Sequence, residues 1–276
     1  MRLVLIPLLL LLLQACVNNA QRIDRQAAAA QLTRSVVAGR EFRHVVYANG
    51  QAANATTQRL LVYLDGDGRP WGANGREPAA DPTTRNPVAL QLLAQTTAPA
   101  IYVSRPCYQR MNDSMCGPAT WTSDRYSAVV VDSLAAAIQQ AAGDDARKQI
   151  VLVGYSGGGV LAVLVAERLA NVAAVITIAA NLDIDAWTQH HHYLPLTGSS
   201  NPASSMHDHP WPEVHLQGTA DHTVPAATTA RYFARYPLAQ RRQFDEFTHV
   251  CCWVEQWPEI FASIAGPLEM IPGTAQ

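Results

Sequence analysis

Ser156 stands in Gly154-Tyr155-Ser156-Gly157-Gly158, directly behind the apolar run Ile150-Val151-Leu152-Val153 and directly ahead of Val160-Leu161-Ala162-Val163-Leu164. That order reads as strand, sharp turn, helix. A Gly-x-Ser-x-Gly pattern at such a junction holds the serine in a strained backbone conformation, with its hydroxyl above the sheet edge. Gly154 and Gly158 have no Cβ, so strand and helix can approach closely, and the helix N-terminus turns free N–H groups and its positive dipole end toward the serine oxygen. Taken alone, the pattern also fits a tight turn with an incidental serine. A serine hydroxyl is a poor nucleophile at neutral pH. It needs a neutral imidazole within hydrogen-bond reach and a carboxylate that fixes the imidazole tautomer. Asp221, in Gly218-Thr219-Ala220-Asp221, and His249, in Thr248-His249, both follow predicted strands. The C-terminal ends of strands are where the catalytic loops of open α/β sheets gather.

Other residues compete for these roles. Asp221 precedes Val224-Pro225, where an aspartate commonly caps a turn or helix. Asp183, in Ala180-Asn181-Leu182-Asp183, is the rival acid, with Asp185 and Asp208 weaker. For the base, His249 outranks His215, which falls inside a predicted strand, and His222, which follows Asp221 too closely to fold back onto the serine independently. An acyl-transfer site also needs two N–H donors for a developing oxyanion. Gly157 supplies one, and Asp67, in the loop Asp65-Gly66-Asp67-Gly68, is expected to supply the other from its backbone. The carboxylates of that loop lie close to where negative charge would develop. Either they point away or the hole is weakened. The run His190-His191-His192 is not expected to hold a metal, because consecutive residues rarely aim three imidazoles at one ion.

These residues need a scaffold. Apolar patterning predicts strands at 44–47, 60–64, 101–104, 150–153, 172–179 and 214–217, with a weaker one at 243–247. Helices are expected at 88–95, 126–142, 159–169, 226–236 and 254–264. This alternation calls for an α/β fold, a mostly parallel central sheet with helices on both faces. Residues 181–212, rich in His, Pro, Gly and Ser, break the alternation as a short cap-like insertion. Residues 16–42 read as a tether or accessory helix ahead of a domain covering 43–276.

The 276 residues are 49% hydrophobic and 15% charged, enough for one large core, and the net charge of −2 without a basic stripe argues against nucleic acid as a partner. At the N-terminus, Arg2 precedes an apolar run from Leu3 to Leu13 that is too short for a comfortable membrane span, so residues 1–15 read as a secretion signal. Export permits disulfides. Cys107 and Cys116 bracket a polar, turn-rich loop that one bridge would constrain. Cys251 and Cys252 are adjacent, a spacing that bonds only in an unusual geometry, and two buried small apolar residues at a helix start are expected instead.

Leu13-Gln14-Ala15-Cys16 resembles the lipobox of bacterial lipoproteins, which implies cleavage before Cys16, a lipid on its thiol and a membrane partner; the alternative is an ordinary secreted protein cleaved near Ala15 or Ala20. Val17 stands where inner-membrane retention would favour an acidic residue, so the resemblance points to the outer membrane. With Ser156, Asp221 and His249 in the chain order Ser, acid, His, the segment from His44 to Gly266 resembles the α/β-hydrolases. More narrowly, Tyr63-Leu64-Asp65-Gly66-Asp67-Gly68 with Trp71, Arg105-Pro106-Cys107, Gly154-Tyr155-Ser156-Gly157-Gly158-Gly159 and Asn181-Leu182-Asp183 with Trp187 resemble a group of bacterial α/β-hydrolase lipoproteins. Most α/β-hydrolases carry His-Gly where this chain has its acidic loop. The resemblance implies the fold and the triad but supplies no substrate; the reading adopted is a serine hydrolase without cofactor or metal, acting on a small-molecule or lipid-like carboxylic ester. A peptidase or amidase with the same triad, and a non-catalytic binding module of the envelope, remain the alternatives.

Overall fold

The computed structural model describes residues 18–52, 58–143 and 147–265, so the signal segment and Cys16 lie outside the described residues. Eight strands form one sheet in the order β1-β2-β4-β3-β5-β6-β7-β8. They are β1 (Thr33–Ala38), β2 (Arg43–Ala48), β3 (Arg59–Leu64), β4 (Ala100–Val103), β5 (Gln149–Tyr155), β6 (Val172–Ile178), β7 (Glu213–Gly218) and β8 (Gln240–Phe244). From β4 through β8 every pairing is parallel, while β1 pairs with β2 and β2 with β4 antiparallel. The expected α/β architecture is the one observed.

The period-two alternation of the strands divides the core between the sheet faces. In β3, Leu60, Val62 and Leu64 pack on one side and Leu61 and Tyr63 on the other, and β5 divides Ile150 and Leu152 from Val151 and Val153 likewise. The first face is covered by α4 (Ala128–Ala142), α5 (Gly157–Ala166) and α7 (Ala230–Arg235), the second by α1 (Asn19–Ala29), α2 (Val88–Ala94) and α8 (Trp257–Ala265). Every residue of α5 is buried. Its sequence is apolar all round, as a helix enclosed by sheet and neighbours must be. Two short helices, α3 (Pro118–Trp121) and α6 (Ile184–His190), sit in the loops above the sheet.

The segment ahead of residue 43, expected as a tether or accessory helix, holds a helix and also an edge strand. Asn18 and Gln21 form a reciprocal capping box that starts α1, and β1 then adds an edge strand paired over six residues with β2. The domain therefore reaches back to α1. Strand β1 left no trace in the sequence because all but one of its side chains are exposed, which erases the apolar alternation. Strand β8 lies three residues upstream of the expected 243–247, for the same reason at the opposite edge.

Candidate active site

Ser156 occupies the junction between β5 and α5 with φ 53° and ψ −125°, a positive-φ conformation costly for a side chain larger than glycine. A Cβ at Gly154 would collide with the Gly158 carbonyl, and one at Gly158 would collide with the carbonyl of Leu64. Both positions must be glycine for the strand, elbow and helix to close on one another.

His249 joins the serine to the acid. Its Nε2 lies 3.0 Å from Ser156 Oγ and its Nδ1 2.9 Å from Asp221 Oδ2. The other carboxylate oxygen of Asp221 accepts from the N–H groups of Thr223 (2.9 Å) and Val224 (2.8 Å). Asp221 thus holds the turn with one oxygen and faces His249 with the other. The acid is buried, whereas the imidazole keeps 16% of its side-chain surface open. This leaves the serine side approachable while the carboxylate is shielded.

The rival residues go elsewhere. Asp183 caps α6, accepting from Ala186 N (3.3 Å) and Asn201 Nδ2 (2.8 Å), with no bond to His249. Asp185 and Asp208 are solvent-facing. His215 is fixed inside β7 by Thr177 and Glu213, and His222 is exposed. Of the three successive histidines, His191 bonds the Thr223 carbonyl at 2.8 Å, and no group of side chains among the described residues is arranged to hold a metal.

The loop carrying His249 is held by Tyr155, whose hydroxyl donates to the His249 carbonyl at 3.0 Å, and by Trp253, whose Nε1 donates to the Thr248 carbonyl at 3.1 Å. Cys251 and Cys252 are joined to each other in this loop, contrary to the expectation of two unbonded apolar residues at a helix start. They precede α8 by several residues, and Cys251 is exposed. The burial assigned to them is supplied by the neighbouring Trp253 and Phe247. Cys107 and Cys116 are bridged, with Cα atoms 5.5 Å apart, within the usual range for a disulfide.

The acidic loop after β3 resolves into two different carboxylates. Asp67 lies against Gly157 and is gripped by Arg105 Nη1 (2.9 Å), Arg125 Nη1 (2.7 Å) and the Tyr126 hydroxyl (2.8 Å). Burial works to raise its pKa, but the Arg125 and Arg105 guanidiniums outweigh it and hold the carboxyl below the usual carboxylate range. Tyr108 also donates to the Asp67 carbonyl at 2.7 Å, so the residue is clamped at both ends. Its negative charge is more than balanced by two cations. Asp65 is the opposite case. Burial pushes its pKa up to about 7, only partly countered by the N–H groups of Gly66 and Ala89 and by Arg105, and its Oδ2 has no hydrogen-bond partner. Arg125 and Tyr126 carried no signal in the sequence, since their partner is 58 or 59 positions away in a separate loop.

A cavity of about 840 Å³ opens above Ser156, walled by the 65–68 loop, Trp71, Arg125, Tyr155, Trp187 and the segment 192–196. The cap-like insertion therefore forms one wall. Another wall is the loop after β3, which carries Asp67 and Trp71.

The family model described as the Dienelactone hydrolase family matches residues 96–236, just over half of the chain. Among curated proteins, none matches significantly. The fold resembles that of an esterase from Pyrococcus furiosus, with 11% identity, 87% of this chain and 90% of that one covered, and a TM-score of 0.60. It also resembles a proline iminopeptidase from Mycobacterium smegmatis, at 14% identity, coverage of 86% and 98%, and a TM-score of 0.62. A serine hydrolase without a lid from Xanthomonas campestris aligns at 13% identity, with coverage of 88% and 96% and a TM-score of 0.56. At such identities the likeness concerns the fold. With a strand-elbow-helix junction, an eight-stranded sheet of this topology and a family match across its centre, the chain belongs to the dienelactone hydrolase family of α/β-hydrolases.

Proposed function

We propose that the protein is a serine hydrolase that cleaves carboxylic esters through an acyl-enzyme on Ser156, held at the cell envelope by a lipid on Cys16. The observation that carries the reading is the relay of Asp221, His249 and Ser156, with both links at 3.0 Å or less. Neutral His249 takes the Ser156 proton as Oγ attacks the ester carbonyl, and Asp221 steadies the imidazolium. The oxyanion forms between the N–H of Gly157, at the open end of α5, and the N–H of Asp67. His249 then returns its proton to the departing alcohol, and water repeats the sequence to release the acid.

The acidic loop does not count against catalysis. The Asp67 carboxylate is turned into Arg105 and Arg125, so its charge is cancelled before it reaches the oxyanion, and the same grip fixes the backbone that would donate. A cavity lined by Trp71, Val88, Tyr155, Trp187, Leu194 and Leu196 suits an apolar acyl group. An outer-membrane address follows from the lipobox with Val17, and among the described residues no helix is long and apolar enough to cross a membrane. A panel of acyl esters of increasing chain length beside matched amides, run on wild type and Ser156→Ala, tests the reading. Ester turnover that vanishes in the variant supports it, while faster amide turnover would make the enzyme a peptidase or amidase.

A further inference from the structure

Two features outside the triad meet at one edge of the molecule. The first is apolar surface at the cavity mouth. Trp71 (38% exposed), Tyr193 (56%), Leu194 (81%) and Val250 (51%) all line the cavity above Ser156, yet turn much of their surface to solvent. They come from three separate segments: the loop after β3, the loop after α6 and the His249 loop. Single exposed apolar side chains are ordinary, whereas several converging on one opening mark an interaction surface.

The second feature is where the chain enters the domain. Strand β2 runs against β4 and β1 against β2, so β1 points the same way as the parallel set. Helix α1 is joined to the start of β1 by a short turn and runs back along the sheet, so it begins at the edge where the parallel strands end. One hydrogen bond fixes this placement. Asn19 Nδ2 donates to the Thr83 carbonyl at 3.1 Å, and the next residue, Thr84, lines the cavity. The capping box between Asn18 and Gln21 makes this entry point rigid. Cys16 lies two positions before Asn18, a reach of about 7 Å even when fully extended. A lipid on Cys16 would leave the domain on the side that bears the mouth.

We propose that this catalytic edge docks on the bilayer that carries the anchor, with Trp71, Tyr193 and Leu194 seated among the lipid headgroups. Its substrates are then long-chain acyl esters resident in that bilayer, which pass from the lipid into the cavity without crossing water. The proposal rests on the ester-hydrolase reading of Ser156 and on lipidation of Cys16. Tryptophan and tyrosine favour the membrane–water boundary because one end of each ring system is apolar and the other polar. A lipid chain combined with a second membrane contact binds far more durably than either alone. Arg22 on the first turns of α1, Arg76 at the mouth and Arg85 beside Thr84 are exposed, and would complement anionic headgroups.

The test uses the full chain, matured in a bacterial host and reconstituted into phosphatidylcholine–phosphatidylglycerol vesicles. Turnover is measured on a fluorogenic long-chain acyl ester that stays in the bilayer and on a short, water-soluble ester. Exchanging Trp71, Tyr193 and Leu194 together for serine should lower the ratio of bilayer to soluble turnover at least tenfold. Leu194→Asp alone, at a position too exposed to threaten folding, should lower it at least threefold. Brominated lipids should quench part of the tryptophan fluorescence of the wild type and less of it in Trp71→Phe. An unchanged ratio in both rim variants would overturn the proposal, and so would a mature chain whose intact mass shows no acyl groups on Cys16. Soluble-ester turnover that disappears only in Ser156→Ala would leave the hydrolase reading standing in either case. If neither ester is turned over, the hydrolase reading fails, and brominated-lipid quenching alone decides the docking.

Discussion

Asp67→Asn removes one negative charge from between two guanidiniums while keeping the shape of the side chain. The side chains of Arg105 and Arg125 are only 3% and 5% exposed, and both direct an Nη1 at the Asp67 carboxylate. Their other bonds run to neutral carbonyls, Arg105 Nη2 to Arg125 O and Arg125 Nε to Thr122 O, which compensate no charge. Breaking a buried ion pair by neutralising one partner typically costs about 3–5 kcal/mol, because the remaining charge stays desolvated. For a domain of this size each kcal/mol lowers Tm by roughly 2–4 °C, so a loss of about 6–20 °C is expected. Were Asp67 merely one hydrogen-bond acceptor, the cost would be about 1 kcal/mol and a few degrees. Scanning calorimetry separates these outcomes. Adding Arg125→Met to Asp67→Asn should recover part of the loss, since the two side chains are directly coupled. The same variant should lower kcat on a soluble ester at least tenfold, through the displaced Asp67 N–H. A Tm within about 2 °C of wild type, with kcat intact, would refute the charge-strut argument.

Asp221→Asn should lose most turnover, up to about four orders of magnitude by comparison with the serine-protease triad, whereas Asp183→Asn, which keeps the oxygen that caps α6, should retain both the chemistry and the stability; steady-state kinetics beside melting curves decide. Asp65 carries a pKa raised from 3.8 to about 7, so ionising it costs the folded state stability as pH rises from about 4 to 7. The Tm difference between Asp65→Asn and wild type should therefore shift in favour of the variant across that window and level off above it. Any pH-independent cost of a buried amide moves the whole curve without changing its slope, and a flat difference from pH 4 to 8 would contradict the assignment. The Cys107–Cys116 bridge spans nine positions, so replacing both residues by serine should cost about 2–3 kcal/mol in urea melts, and no change would show that the loop is held without it.

The parts of the site that were legible in the sequence are those written locally. The elbow follows from an apolar run, two glycines and a serine in consecutive positions, and the buried strands β3, β5 and β7 announce themselves by composition. Asp221 and His249, expected from their places after two strands, lie within hydrogen-bond distance of each other and His249 within reach of Ser156. What stayed hidden was made by tertiary contact or lay on the surface. The Arg105–Asp67–Arg125–Tyr126 cluster joins three loops with no spacing rule to reveal it. Strand β1 carries an exposed pattern indistinguishable from a loop, and its place is set by pairing with β2. The Cys251–Cys252 pair was read as unbonded and buried because adjacent cysteines bond only in an unusual geometry, while Trp253 fills the core at that point.

On the proposed function, Ser156 is a nucleophile activated by His249. A fluorophosphonate probe reacts with such a serine and forms a stable adduct at its Oγ. Intact-mass and peptide analysis of the labelled protein should place one adduct on Ser156, lost in Ser156→Ala and strongly slowed in His249→Ala. Labelling that persists undiminished in Ser156→Ala, or a wild-type protein that takes up no probe while fully folded, would contradict the account.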